Sequence, residues 1–457
     1  MSLPLKATAA IATAIALAAP PPAPAQPREF PATLAGHALI PAQRMILPPD
    51  DAPPAFRVSG RFTGPGNLRT DAIASIPQRT GIALPFVGQP LQGFSGIKPV
   101  GDGSYWVLTD NGFGSRRNSP DALLFVSRVR PDWTSGGVTV HEHVFLSDPN
   151  RIVPFRIENE HTRERYLTGA DFDPESLQPV ADGFWIGEEF GPFLLHVDRQ
   201  GRVTGVYPTT SGGRELRSPD HPALQLAASP TQPVPFQVQR SGGFEGMALS
   251  PDGATLYALL EKPVLDDAGR PETVGGRRVL RILEFSVARR AWTGRELRFA
   301  LDEGATAIGD FNLVDSRRAL IIERDDGEGD PSMECAPGTQ ASPQNRCFPT
   351  PARLKRVVLV DLQDADAQGV VRRIGHVDLM AIRDPDNRAL LKGEARRDLT
   401  GRFTFPFFTI ENVAAVDAEH IIVGVDNNLP FSVGRWTDRA VDNELILLRV
   451  PELLQAR

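Results

Sequence analysis

Along most of this chain, apolar and polar positions alternate in short runs broken by Gly, Pro, Asn and Asp, the pattern of strands joined by turns. The clearest stretch is Gly243-Phe244-Glu245-Gly246-Met247-Ala248-Leu249-Ser250-Pro251-Asp252-Gly253, which continues to Glu261-Lys262. A glutamate opens one strand, a Pro-Asp-Gly turn follows, and a second strand ends in charge. Other copies begin at Phe94-Ser95-Gly96-Ile97, Pro174-Glu175-Ser176-Leu177, Asp310-Phe311-Asn312-Leu313 and Ile410-Glu411-Asn412-Val413. Their second strands end at Asp110-Asn111, Glu188-Glu189, Glu323-Arg324 and Asp426-Asn427. One strand pair used five times is the economical explanation.

Each copy continues into further strands. The first unit predicts strands at 96–100, 105–109, 123–130 and 138–146, the second at 176–180, 184–187, 194–198 and 203–207. The third predicts 246–250, 256–260, 279–287 and 297–301, and the fourth 312–314, 319–322, 356–362 and 372–379. The fifth shows only 413–416, 421–425 and 444–450 before the chain ends. Its missing outer strand is expected from the N-terminal side, near the strand pattern at 56–62. Four-stranded units in a row, the last completed by the opposite terminus, describe an all-β fold, a closed β-propeller. Five blades can be counted, and six are possible if residues 30–92 hold another. One helix is expected, at 380–397. Insertions at 150–170, 211–240, 263–278 and 325–354 would decorate the ring and could roof its mouth.

Composition adds to this picture. Lys6, an uncharged Ala-rich run from 7 to 19 and Ala23-Pro24-Ala25 read as a secretory signal over residues 1–25, so the mature chain is expected to begin near Gln26 as a periplasmic or secreted protein. That run is too short to span a bilayer, which takes about 20 apolar residues. A Pro-rich segment, 26–56, would then precede a propeller domain at 57–457. The formal net charge of −7, with 41% hydrophobic residues, fits a polar-surfaced globular protein and argues against nucleic acid or anionic membrane as partners. So long a chain exceeds what one core usually serves, and repeats are expected to give each unit its own. A monomer acting on a small molecule is expected. Cys335 and Cys347, twelve apart in a Pro/Gly/Gln-rich stretch, are expected to form one local disulfide.

Six motifs carry a resemblance: Gly93-Phe94-Ser95-Gly96, Thr109-Asp110-Asn111-Gly112, Phe172-Asp173-Pro174-Glu175-Ser176, Trp185-Ile186-Gly187-Glu188-Glu189-Phe190-Gly191-Pro192, Gly243-Phe244-Glu245-Gly246 and Glu411-Asn412-Val413. Together, from about Arg57 to Val450, they resemble the phytase-like, or esterase-like-activity-of-phytase, family of exported bacterial proteins. The resemblance implies a propeller and suggests hydrolysis of phosphate esters.

The residues support a chemistry of their own. First strands line a propeller's central channel, so Glu175, Glu245 and Glu411 would converge at one mouth. Three carboxylates brought together need a cation. Asp110, Asn111, Glu188, Glu189, Asp426 and Asn427, at neighbouring strand ends, could add oxygen ligands. An all-oxygen set suits calcium first, with magnesium or manganese as alternatives, and the lack of histidine there argues against zinc. The competing structural reading pairs the acids with Lys262 and Arg324 to hold the ring together. If a cation binds, Lys262, Arg324 and the pair Arg116-Arg117 could hold an anionic phosphoryl group, and Glu245 or Glu189 could act as general base. Asp326-Gly327-Glu328-Gly329-Asp330 reads as a solvated acidic loop or a second calcium loop. His141 and His143 read as surface residues on an outer strand, and Ser95 lacks the surroundings of a nucleophile elbow. Two other functions fit the pattern: a calcium-dependent lactonase or carboxylesterase, since propeller lactonases look similar at these strand starts, and a non-catalytic ligand-binding propeller.

Overall fold

The structure, a computed structural model, describes residues 28–61, 73–74, 80–224, 236–339, 342, 344–391 and 401–457. The expected signal lies outside them. Five antiparallel sheets start at a central axis and run outward. The first blade holds Phe94–Pro99, Tyr105–Thr109, Phe125–Pro131 and Val138–Phe145. The second holds Pro174–Val180, Gly183–Glu188, Phe193–Asp198 and Val203–Pro208. The third holds Gly246–Leu249, Thr255–Leu259, Arg277–Ser286 and Ala291–Ala300, and the fourth Ala307–Leu313, Arg318–Arg324, Lys355–Ala365 and Val371–Asp378. The fifth is built from Ile410–Ala415, His420–Val425 and Asn443–Arg449. Neighbouring innermost strands touch all the way round, and the fifth touches the first, so the ring is closed. Every strand expected within the five units is present, with ends shifted by a few residues.

The outer strand of the last blade does come from the N-terminal side, but from Thr33–Ile40, which runs antiparallel to Asn443–Arg449 from Thr33↔Arg449 to Ile40↔Asn443. The ring therefore begins ahead of residue 57. Leu34, Ala38 and Ile40 turn inward on this strand, a period-two pattern. Near Phe56, Pro53 and Pro54 set a 3-10 turn, Pro54–Arg57, before a two-residue strand that pairs with Phe86–Val87. Among the described residues, 41–92 form such short ribbons and no sixth blade.

The core differs from one per unit. Five apolar layers lie between adjacent blades, as where Phe94, Ile97 and Val107 of the first blade meet Ile422, Leu445 and Ile40 of the fifth. Each sheet is thus covered on both faces, which is why a second strand such as Arg318–Arg324 is buried at every position. The expected helix at 380–397 is not formed over its described part. Ile382–Asp384 is a strand paired with Gly401–Phe403, and the chain then turns at Asp384-Pro385-Asp386-Asn387, where Asn387 is left-handed (φ 54°). A residue before proline disfavours the helical region, and the Asp384 carboxylate accepts the amides of Arg388 and Ala389 instead. The α-helix observed is Pro451–Gln455. Cys335 and Cys347 form the expected disulfide.

Candidate metal centre

The mouth of the channel is organised by a device repeated at the start of the innermost strands. Pairing slips between Pro174 and Ser176 in the second blade, between Ile308 and Phe311 in the fourth and between Ile410 and Asn412 in the fifth. A bulge of this kind adds a residue opposite the partner strand and re-aims its side chain. The added residues include Glu175 and Glu411, and Glu245 stands at the corresponding place just ahead of Gly246–Leu249. One carboxylate oxygen from each of Glu175, Glu245 and Glu411 lies within 4.8 Å of the others, all three residues being buried. The other two blades supply no acid. Ser95 of the first donates from Oγ to Glu411 Oε2 at 3.2 Å. Gly309 of the fourth has no room for a side chain, because a Cβ there would stand 1.8 Å from the carbonyl oxygen of Ile410. Its neighbour Asp310 is turned to the inside, where it accepts the amides of Phe311 and Val413 and ties the fourth blade to the fifth.

A second group overlaps the first. Oxygens of Asp173, Glu175 and Glu189 also lie within 4.8 Å of one another. The two groups face one cavity of about 500 Å³, lined by nine carboxylates and three cations, Lys262, Arg278 and Arg324. This crowding sets the protonation of the site. Burial, and then the neighbouring acids, hold Glu175, Glu189 and Glu245 far above the usual carboxylate range. Burial and Asp426 push Glu411 up to about 8 against the opposing pull of Arg324. Burial brings Asp173 and Asp426 to about 6. Glu245 Oε1 and Glu189 Oε1 are buried without a hydrogen-bond partner. Buried polar atoms are rarely left so, and a missing ligand is one physical reason.

The remaining sequence candidates divide sharply. Asp110 and Asp426 line the cavity. Glu188 does not: its Oε1 accepts the amides of Gly191 and Phe193, both at 2.7 Å, and its Oε2 that of Phe190 at 2.8 Å. Consecutive residues at a strand end point to opposite sides, so Glu189 takes the mouth and Glu188 the loop behind it. Asn111 lines the cavity as a clamp, its Nδ2 donating to Asp173 Oδ1 at 2.7 Å and its Oδ1 accepting the amide of Phe113. Asn427 bridges Gly93 and Val441 instead of facing the mouth.

Of the expected phosphoryl-binding cations, Lys262 and Arg324 are at the cavity and already engaged. Arg324 donates from Nη2 to Glu261 Oε1 at 3.0 Å and lies 3.5 Å from Glu411 Oε1. Lys262 pairs with Glu261 at 3.1 Å and donates to the carbonyls of Arg240 and Ser241. Arg116 is spent on the carbonyls of Ala170 and Asp220, and neither it nor Arg117 lines the cavity. In the acidic loop, Asp326 accepts from Thr306, Glu328 from the amide of Val433, and Asp330 from Ser332 and Thr404. The three acids take separate partners and are not gathered into a metal-holding group among the described residues. His141 is exposed on the outer strand as expected, whereas His143 is half-buried, hydrogen-bonded to Ser127 and packed edge-on against Phe125. Of the insertions, 211–240 and 263–278 reach the mouth through Gln239, Pro263 and Arg278, while 150–170 packs on the first two blades through Val153 and Ile157.

Sequence reasoning missed Asp173, Glu261 and Arg278 as site residues. Asp173 had a signal, since it stands two positions before Glu175 and period two puts both on one side. Glu261 is the counterpart, in the third blade, of strand-end acids that were recognised elsewhere. Arg278, at the end of an expected insertion, stands in the third blade's strand Arg277–Ser286 and gave none.

The profile of the phytase-like family, described as esterase-like activity of phytase, matches residues 89–429. This chain belongs to the phytase-like family. The match takes in Asp110, Glu175, Glu245, Glu411 and Asp426, so the whole mouth of the channel is phytase-like sequence. An uncharacterized secreted protein of Arthroderma benhamiae is 29% identical over 125 residues, 25% of this chain and 24% of that protein, so the chain spans about a quarter of its relative's length. Among solved structures, the Pseudomonas aeruginosa periplasmic gluconolactonase aligns over 78% of this chain and 88% of its own at 14% identity, with a TM-score of 0.29. Bacillus subtilis arabinanase aligns over 77% and 91% at 10% identity, with a TM-score of 0.32. Among the described residues of this phytase-like chain, no helix is long and apolar enough to cross a membrane.

Proposed function

We propose that the protein is an exported hydrolase of phosphate esters that depends on a divalent cation, calcium foremost, held by Glu175, Glu245 and Glu411. The observation that carries this reading is the convergence of three buried carboxylates from three blades, one of them with an oxygen that has no hydrogen-bond partner among the described residues. Carboxylates so placed repel one another unless a cation or protons intervene, and an all-oxygen donor set fits calcium, magnesium or manganese. A bound divalent cation would supply Lewis-acid activation of water and of a phosphoryl oxygen. The protein's own groups do the rest. Arg324 fixes Glu411 and Glu261, Asn111 fixes Asp173, and Lys262 holds Glu261 at the rim. Glu189, with Oε1 unpartnered, is suited to accept a proton from the attacking water. Arg278, which donates to the carbonyl of Ala305, is placed to meet an anionic substrate from the rim. Export rests on the N-terminal signal pattern, and family membership supports hydrolysis.

One observation favours a second reading. Lys262 and Arg324 are engaged with Glu261 and Glu411, which suits a neutral carboxylester or lactone better than a phosphate. Mature protein, stripped of metal and reloaded with calcium, magnesium or manganese, should be assayed on parallel panels of phosphomonoesters, phosphodiesters, lactones and carboxylesters. Cation-dependent turnover of phosphate esters is expected, with Glu189→Gln lowering kcat about 10²–10⁴-fold. Turnover confined to lactones or carboxylesters would replace the substrate class. Activity on neither panel would leave a ligand-binding propeller.

A further inference from the structure

We propose that the mouth of the channel binds a second divalent cation, held by Asp173, Glu175 and Glu189, so that Glu175 bridges two cations and Glu189 serves as a ligand instead of the general base. This rests on the reading of Glu175, Glu245 and Glu411 as a cation site and extends it. In both groups the ligand oxygens lie within 4.8 Å of one another, and Glu175 is their shared member. A carboxylate has two oxygens, so one residue can serve both groups.

The second group shows its own sign of a missing partner. Glu189 is 3% exposed, lines the cavity and has a buried Oε1 with no hydrogen bond. Among the described residues, neither Asp173, Glu175 nor Glu189 forms an ion pair, whereas Glu261 and Glu411 have Arg324. Arg324 therefore serves the Glu261 and Glu411 side of the cavity, and the acids of the Asp173 group have no ion-pair partner of their own among the described residues. Asp173 is also the acid whose orientation is fixed from behind. Asn111 donates to its Oδ1, and the Phe113 amide fixes which way the Asn111 side chain points. Outer hydrogen bonds of that kind commonly hold the carboxylates that bind metals.

A second cation also changes what the cavity can accept. With its nine carboxylates ionised against three cations, the cavity would repel a phosphate ester, and one divalent ion would leave most of that excess in place. Two neighbouring ions can hold both the attacking and the leaving oxygen of an in-line displacement, an arrangement that a neutral lactone does not need.

The test is stoichiometry on the full mature chain, stripped with chelator and titrated with calcium alone by calorimetry. Manganese(II) alone, followed by electron paramagnetic resonance, gives the second readout. Two ions per chain are expected, with a spin-coupled manganese signal because the ions share Glu175. Asp173→Asn should lose one equivalent and the coupling, and Glu245→Gln should lose the other. One ion per chain in the wild type, or two retained in Asp173→Asn, overturns the second site and leaves the three-glutamate site standing. No binding at all overturns both. Should Asp173→Asn fail to fold by circular dichroism, Glu189→Gln carries the same expectation, and two retained equivalents there overturn the second site.

Discussion

Glu411 and Glu444 lie in the same blade, 5% and 4% exposed, and titrate in opposite directions. Burial alone would raise both. At Glu444 it is outweighed by Arg435, which donates through Nε and Nη2, and by His37 Nε2 at 3.0 Å, so the carboxyl falls to about 2. At Glu411 burial and the neighbouring acids Asp426 and Glu261 outweigh Arg324, which is shared with Glu261, and the carboxyl rises to about 8. The difference teaches what the mouth is for. Where this protein needs a buried carboxylate for structure, it surrounds that group with matched donors. Where it crowds carboxylates without them, the carboxyls are held above their usual range, and a bound cation would let them ionise.

The largest effect expected from breaking this comparison is on the balanced side. Arg435→Leu strands Glu444 in the core, and removing one partner of a buried pair costs about 3–5 kcal/mol, readable by urea denaturation. Arg324→Leu should cost less in metal-loaded protein, because the cation then neutralises the acids that Arg324 leaves behind. Equal costs for the two substitutions would erase the distinction.

Next in size is the response to pH. The Glu444 carboxyl, lower in the fold than the ordinary 4.5, contributes stability that is present above pH 4.5 and lost as pH falls towards 2. The loss should be about 3 kcal/mol at roughly 1.4 kcal/mol per unit. At the mouth the sign reverses. For metal-free protein, the cost of charging Glu411 in the fold is absent below 4.5 and grows as pH rises towards 8, so stability should decline over that range. Denaturation curves in chelator at pH 5 and pH 8 check this, and a rise in stability between them would contradict it. Smaller again is the effect of metal removal at fixed pH. Loading at a hundredfold excess over Kd should add about 2.7 kcal/mol in the wild type, and the same in Arg435→Leu, measured against its own metal-free state.

Much of this was legible in the sequence, for physical reasons. A blade covered on both faces needs apolar runs, so the strands declared themselves, and a strand start repeated at equivalent positions put Glu175, Glu245 and Glu411 together, with a bulge at Glu175 and at Glu411. What failed depended on three-dimensional neighbours. Glu188-Glu189 offers two adjacent acids, and only the loop amides of residues 190–193 decide which one is withdrawn. Lys262 and Arg324 were placed at the mouth correctly, but that they are engaged there follows from Glu261 and the carbonyls of Arg240 and Ser241. The closing strand, Thr33–Ile40, lacks the glutamate marker of the units. The Asp384-Pro385 turn defeated the expected helix.

The central claim is that Glu175, Glu245 and Glu411 share a cation. Thermal melts of wild type and Glu245→Gln, each with and without chelator, test it most directly, because Gln keeps the shape and removes one charge. The account predicts that chelator lowers the wild-type melting temperature markedly. It predicts that the variant, with weaker metal affinity, melts below wild type at limiting metal and responds less to chelator. A variant that melts above wild type and is indifferent to chelator would show that these glutamates only repel one another, and would contradict the account.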